Sequence, residues 1–203
     1  MPIDHTHRAI FVHIPKAGGT SMERALGIWT HDNLSEEHPL KLFGRQQQHR
    51  TAEEIRDIYV NESVFKGYYK FGFVRNPWDR LVSEFHYLTE NKVINFPFDL
   101  FASREFLSRT DLPHFVVDHI RPQADYVFDS SGTNLLDFVG YFERMEEDWE
   151  KVTQALKITN TLQHLNKKKS DRKPYQELYT EKMRNDVAEH YARDIEAFNY
   201  HFE

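Results

Sequence analysis

The chain has 203 residues, with 26 Lys and Arg against 32 Asp and Glu, a formal net charge of −6 and no cysteine. That length suits one domain with a real core, and 14% aromatic residues are too many for a disordered chain despite a mean hydropathy of −0.71. The missing cysteines exclude disulfides and Cys-ligated zinc or iron–sulfur centres, and the acidic balance argues against a nucleic-acid coat.

The first seven residues, with His5 and His7, read as a frayed start, and metal binding there is not expected. Arg8 to Ile14 is short, apolar and stopped by Pro15, which predicts a buried strand. Thr20 to Trp29 carries Met22, Ala25, Leu26 and Trp29 on one helical face. Residues 30–48 are polar and Gln-rich and read as a loop. Thr51 with Glu54 forms a capping box ahead of Ile55, Ile58 and Tyr59, so a helix starts there. Tyr68 to Val74 predicts a second buried strand, and a helix with Pro77 in its first turn follows to about Glu90.

Phe98 to Leu107 predicts another helix, and 108–121 is ambiguous. Tyr126 to Asp129 and Asp137 to Phe142 read as short strands, and Glu143 to Leu156 as an acidic amphipathic helix. His164 to Pro174 is a loop with a basic run. The last helix starts near Thr180, with Met183, Val187, Tyr191 and Ile195 at steps of four. Strands alternating with helices predict an α/β fold around a mostly parallel sheet, and no linker splits residues 1–203, so one domain is expected. No apolar run approaches the ~18 residues of a membrane span, and the N-terminus has no secretory pattern. The expectation is a soluble, cytoplasmic protein; oligomeric state is not legible.

The most informative segment is His13-Ile14-Pro15-Lys16-Ala17-Gly18-Gly19-Thr20-Ser21. A strand runs into Lys, then two glycines, then two hydroxyl residues that open a helix. Glycines let the backbone curl toward an anion, and a helix N-terminus offers unpaired donors at its positive end. Lys16 adds a mobile charge. A Walker A loop places Lys after the glycines, whereas here it precedes them. The purely structural alternative is a tight turn with Thr20 as N-cap.

A second strand–turn–helix unit is Phe71-Gly72-Phe73-Val74-Arg75-Asn76-Pro77-Trp78-Asp79-Arg80-Leu81-Val82-Ser83. Arg75 ends a strand, where open α/β sheets face their ligands. An Arg fork with the Ser83 hydroxyl suits a phosphate, with Arg80 one turn before Ser83. Alternatively Arg75 pairs with Asp79, and Ser83 is an ordinary helix-surface residue.

The pair PKAGGTS and RNPWDRLVS, about sixty residues apart, resembles the signature of sulfotransferases that use 3′-phosphoadenosine 5′-phosphosulfate (PAPS), in the branch of carbohydrate sulfotransferases and their bacterial relatives. Further matches are His119-Ile120-Arg121-Pro122-Gln123-Ala124-Asp125-Tyr126, Phe142-Glu143 with Asp148, His164-Leu165-Asn166-Lys167 and Tyr191-Ala192-Arg193-Asp194. The resemblance implies a P-loop NTPase-like three-layer α/β core. It places the 5′-phosphosulfate on Lys16, Gly18, Gly19, Thr20 and Ser21, and the 3′-phosphate on Arg75 and Ser83. It implies metal-independent sulfuryl transfer to a hydroxyl or amine on a glycan or small molecule, with Lys16 steadying the leaving phosphate.

Such an acceptor needs a base, a His or a Glu in the wider superfamily, and twelve histidines compete. His49, just before the capped helix, comes first; relatives in the family it resembles often carry a His-x-Thr-Ala segment there. His119 comes second, with Gln123 of the same segment as a contact to acceptor or donor. His86 is third, His13 reads as structural, and Glu23 is an acid alternative. The run 167–173, with five bases and one acid, is either a solvated loop or, as the resemblance implies, a cover for the donor phosphates, with Lys167 and Arg172 as contacts. Trp78 reads as an adenine-side support or as core. The competing classes are a P-loop kinase or nucleotidase, which would prefer ATP with Mg²⁺, and a non-catalytic binder that keeps the anion sites without a base.

Overall fold

Four strands make one sheet in a computed structural model that describes residues 3–28, 48–162 and 173–203. They are β1 (Ile3–Asp4), β2 (Ala9–Val12), β3 (Tyr69–Val74) and β4 (Phe138–Tyr141), in the spatial order β1-β2-β3-β4. The helices in chain order are α1 (Gly19–Leu26), α2 (Ala52–Glu54, continued by a π-helical turn over Ile55–Tyr59), α3 (Glu62–Gly67), α4 (Pro77–Glu90), α5 (Phe98–Phe101), α6 (Arg104–Leu107), α7 (His114–Ile120), α8 (Ala124–Val127), α9 (Met145–Leu156), α10 (Glu181–His190) and α11 (Ala192–Phe198). The residues fall into two compact units: Met1–Val74 with Asp125–Leu165, and Arg75–Ala124 with Asn166–Glu203.

The first unit holds the sheet. β2, β3 and β4 run parallel, in a register that aligns Phe11 with Phe71 and Phe71 with Phe138; β1 is antiparallel to β2. This is the expected α/β arrangement, a mostly parallel sheet flanked by helices. Strand side chains alternate between faces. Ala9, Phe11, Phe71 and Phe73 therefore share one face, packed against Met22 and Leu26 of α1 and Trp149, Val152 and Leu156 of α9. Each such large side chain contributes roughly 1.5–3 kcal/mol on full burial. On the opposite face Lys70 lies over the Phe65 ring of α3 and pairs with Asp137 at 2.7 Å. The capping box forms as expected: Thr51 Oγ1 accepts from the Glu54 N–H, and the Glu54 carboxylate accepts from the Thr51 N–H.

The described residues 3–7 are not a frayed start. Ile3 and Asp4 pair with Ile10 and Ala9, because the buried Asp4 carboxylate collects the N–H groups of Thr6 and His7 and ties the reversal between β1 and β2.

In the second unit, α4 contributes Trp78, Leu81 and Leu88 to a core with Phe101, Phe106, Leu107, Val116 and Ile120. The expected period of four brings Met183, Val187 and Tyr191 into the same core, although α10 ends at His190 and a new helix begins at Ala192. Thr180 caps α10. Burial pushes the Tyr191 phenol well up from its ordinary pKa, and its hydroxyl donates to the Ile120 carbonyl at 2.8 Å.

Two further expectations are corrected. The single helix over 98–107 is two, because the Ser103 hydroxyl accepts from the Phe106 N–H and starts α6 afresh. Tyr126–Asp129 is no strand: α8 covers Ala124–Val127, and Phe128 makes only an isolated bridge to Asn134. The start of α8 is set from far along the chain, since the Asp194 carboxylate accepts from the N–H groups of Gln123 and Ala124, as an N-cap acid does. Asp194 is fully enclosed. Burial raises its pKa, with the Arg80 charge acting the other way.

Candidate functional site

β2 ends at Val12, and the buried residues His13, Ile14 and Pro15 lead into a turn that opens α1. Lys16 and Gly18 both take left-handed backbone conformations, with φ of 63° and 88°. The Lys16 conformation costs roughly 1 kcal/mol that a glycine would avoid. Gly18 is the N-cap of α1, and no side chain caps the helix. Thr20 is instead the second helical residue. The N–H groups of Gly19 and Thr20 thus sit at the positive end of the helix, while the Ser21 N–H donates to the Gly18 carbonyl at 3.1 Å.

Packing requires Gly19, while at Gly18 the left-handed backbone already favours glycine and the packing neighbour is the movable end of Met145. A Cβ on Gly18 would fall 2.3 Å from Met145 Cε, at the start of α9, and one on Gly19 would fall 2.1 Å from His13 Nε2. The turn is therefore backed by the residues that follow β4 and gripped by the imidazole that follows β2.

That imidazole belongs to a cluster within the first unit. Nδ1 of His13 donates to Oε1 of Glu23 at 2.8 Å, and Nε2 of Gln48 donates to Oε2 of Glu23 at 2.9 Å. The 3.1 Å separation of Gln48 Nε2 and His13 Nδ1 is then a close approach of two donors that share one carboxylate. His49 donates from Nδ1 to the His13 carbonyl at 3.0 Å, and the two rings meet edge to face at 4.7 Å. Because Nδ1 of His49 carries the proton in that bond, Nε2 carries the lone pair when the ring is neutral. His13 and Glu23 are buried; Gln48 and His49 are half-buried. The sequence signal for Glu23 is its place in the helix that follows the glycine turn; its burial is seen only in the structure. Gln48 gave no such signal.

In the second unit, Arg75 follows directly on β3. Its guanidinium reaches Asp79 Oδ2 from Nε at 2.9 Å and from Nη2 at 2.7 Å, as the structural alternative had it. Its backbone is clasped by Gln123, whose Oε1 accepts from the Arg75 N–H and whose Nε2 donates to the Arg75 carbonyl. Gln123 is fully buried and also reaches Asp194, so its amide is committed inside the protein rather than turned to a ligand. Arg80 is 1% exposed and donates to the carbonyls of His119 and Arg121, with Tyr191 below its guanidinium. Ser83 is half-buried on α4. Trp78 is core, its indole N–H donating to the Arg184 carbonyl.

His119 lies on α7 and donates from Nδ1 to Oε2 of Glu84 at 2.8 Å. Glu84 is 1% exposed, and its Oε1 meets no hydrogen-bond donor among the described residues. Tyr87 stacks on the His119 ring, with centroids 5.7 Å apart. His86 packs against Phe85. Glu84 was missed in the sequence because its partner is 35 residues away. Lys167 and Arg172 lie outside the described residues; Lys173, at the end of the basic run, faces Glu177 at 3.9 Å. Among the described residues, no group of three or more His, Asp or Glu side chains could hold a metal ion, and no helix is long and apolar enough to cross a membrane.

Comparison with known proteins adds three findings. The sequence profile described as "Sulfotransferase family" matches residues 1–201. A protein of Archaeoglobus fulgidus, carrying only the name "Uncharacterized protein", is 30% identical over 105 residues, 51% of this chain and 79% of the relative. No solved structure matches the chain.

Proposed function

Because the chain belongs to the sulfotransferase family, whose members move sulfuryl groups on a P-loop-like fold, we propose that it transfers a sulfuryl group from PAPS to an acceptor hydroxyl on a carbohydrate or small metabolite. The observation that carries this reading is the β2–turn–α1 unit: a helix start with no side-chain cap, entered through Lys16 and two glycines. A side chain at Gly19 would meet the His13 ring, so the glycine lets the helix start sit tightly on His13, and a helix start of this kind is what an anion binds.

When bound, the donor supplies a sulfuryl group already joined to a phosphate leaving group. The chain's own residues supply position and charge. The start of α1, with Gly18, Gly19, Thr20 and the Ser21 hydroxyl, holds the 5′ end. The Lys16 ammonium steadies negative charge on the departing phosphate. Arg75 and Ser83 hold the 3′-phosphate, and Lys167 and Arg172 cover the phosphates. His49 takes the acceptor proton at Nε2, since its Nδ1 proton is engaged by the His13 carbonyl.

A second reading of the base is favoured by one observation. His119 also has its Nδ1 proton engaged, by the buried Glu84 carboxylate, and this likewise leaves Nε2 as acceptor. His49→Ala and His119→Ala separate the two readings. The true base loses about 10²-fold or more in turnover, measured as labelled sulfate moved from PAPS onto a panel of glycans, lipids and small alcohols. The donor class is tested by the melting temperature with 3′,5′-adenosine bisphosphate, the desulfonated product, which must rise if the native state binds it. No rise at millimolar ligand refutes PAPS dependence.

A further inference from the structure

Glu23 is an acid on the buried face of α1, beside Met22 and Leu26, and is 3% exposed. An apolar side chain would pack there without the desolvation that a carboxylate suffers. Both carboxylate oxygens are nevertheless used. One accepts from His13 Nδ1 and the other from Gln48 Nε2. These two partners flank His49 in different ways: Gln48 precedes it in the chain, and His13 presents the carbonyl that accepts its Nδ1 proton.

We propose that Glu23 is a positioning residue for His49, a reading that deepens the assignment of His49 as base and rests on it. The carboxylate ties the residue after β2 to the residue before His49. Both ends of the imidazole's support are thereby fixed to the first turns of the helix that carries Thr20 and Ser21. With residues 13 and 48 held, the His13 carbonyl stays within reach of Nδ1, and His49 keeps one tautomer with its lone pair on Nε2. Without Glu23, the Gln48 amide and the His13 ring each lose an acceptor, and the His49–carbonyl bond is no longer braced.

Long-range ¹H–¹⁵N correlation spectra of the histidine rings test this directly, with no acceptor required. Wild-type protein should show His49 as a single neutral tautomer protonated at Nδ1. Glu23→Ala should show both tautomers. Gln48→Ala, at a half-buried position that leaves the His13–Glu23 bond in place, should do the same and decides the matter if Glu23→Ala does not fold. In the labelled-sulfate assay each variant should lose about tenfold in kcat, with the KM for PAPS changed by less than about twofold, the effect of a misplaced base rather than lost donor binding. The loss from Glu23→Ala should vanish in a His49→Ala background. A single Nδ1-protonated tautomer of His49 in both variants overturns the proposal, as does a full additional loss in the His49→Ala background. Unchanged turnover in His49→Ala alone refutes the base assignment instead, and the tautomer spectra still judge whether Glu23 holds the ring.

Discussion

Oε2 of Glu84 accepts from Nδ1 of His119 at 2.8 Å, while Oε1 of the same enclosed carboxylate meets no hydrogen-bond donor among the described residues. A buried acceptor is far more expensive to strand than a pair is to remove. His119→Ala should therefore lower stability by about 2 kcal/mol, read as a shift of the urea unfolding midpoint. The double variant His119→Ala/Glu84→Leu should recover at least half of that, because the stranded carboxylate is gone. A double variant less stable than the single one refutes this account of the pair.

The two glycines that open α1 differ in kind from the one that closes it. A Cβ at Gly19 meets the His13 ring at 2.1 Å, whereas a Cβ at Gly27, the C-cap with φ 69°, meets nothing within 4 Å. Gly27→Ala should cost only the left-handed backbone penalty, about 1 kcal/mol, and leave the affinity for 3′,5′-adenosine bisphosphate unchanged. Gly19→Ala must displace His13 or the turn. It should weaken that affinity at least about tenfold, by calorimetric titration, if the bare helix start holds the donor. Equal affinities for the two variants would remove the turn from the binding site.

The contrast also says what was legible beforehand. β2, the glycine turn, the capping box at Thr51 and the core of α10 were readable because each is specified by neighbours within a few residues. Of the His13–Glu23–Gln48–His49 cluster only His49 and Glu23 are legible as candidates, since Gln48 and His13 are 35 residues apart and such partnerships leave no periodic trace. Tyr126–Asp129 read as strand from its aromatic and β-branched residues, but Asp194 reaches the N–H groups at 123 and 124 from about 70 residues away and starts a helical turn. Arg80 read as part of an anion fork, although its guanidinium is spent on two backbone carbonyls.

Asp148 gives the first unit an acid-sensitive tie. Burial pushes its carboxyl up, but Lys151, Arg144 and the Tyr141 N–H more than offset this, and its pKa lies below the ordinary 3.8. A carboxylate lowered in the folded state contributes stability that is fully present above its unfolded pKa and is lost as pH falls through the folded one. Asp148→Asn should therefore be less stable than wild type by about 2 kcal/mol at neutral pH. The gap should hold down to about pH 4 and close below it. Urea unfolding of both proteins between pH 7 and pH 2.5 measures this. A gap that widens toward acid would mean that the ionised form is not the stabilising one.

Arg75, just before α4, and Arg80, within it, should fail in opposite ways. The Arg80 guanidinium is buried with two carbonyl acceptors, Tyr191 beneath it, and the charge of the enclosed Asp194 acting on it. Arg80→Met strands all of these and should cost about 3–5 kcal/mol, the range for breaking a buried charged pair. Its folded fraction should still bind 3′,5′-adenosine bisphosphate as wild type does. Arg75 is anchored through its backbone by Gln123, which does not depend on its side chain, and its guanidinium pairs with the part-exposed Asp79. The Arg75 side chain is buried as well, but its partner Asp79 can turn to water, so Arg75→Met should cost less than Arg80→Met, about 2 kcal/mol of stability, yet lose a charge-assisted bond to the 3′-phosphate, about 10- to 100-fold in affinity. Calorimetric titration beside urea unfolding separates the two effects. Intact bisphosphate binding in Arg75→Met removes the 3′-phosphate from that residue. Binding lost without instability in Arg80→Met would transfer the role to Arg80, because only a guanidinium that is not holding the fold together can be removed at so small a cost.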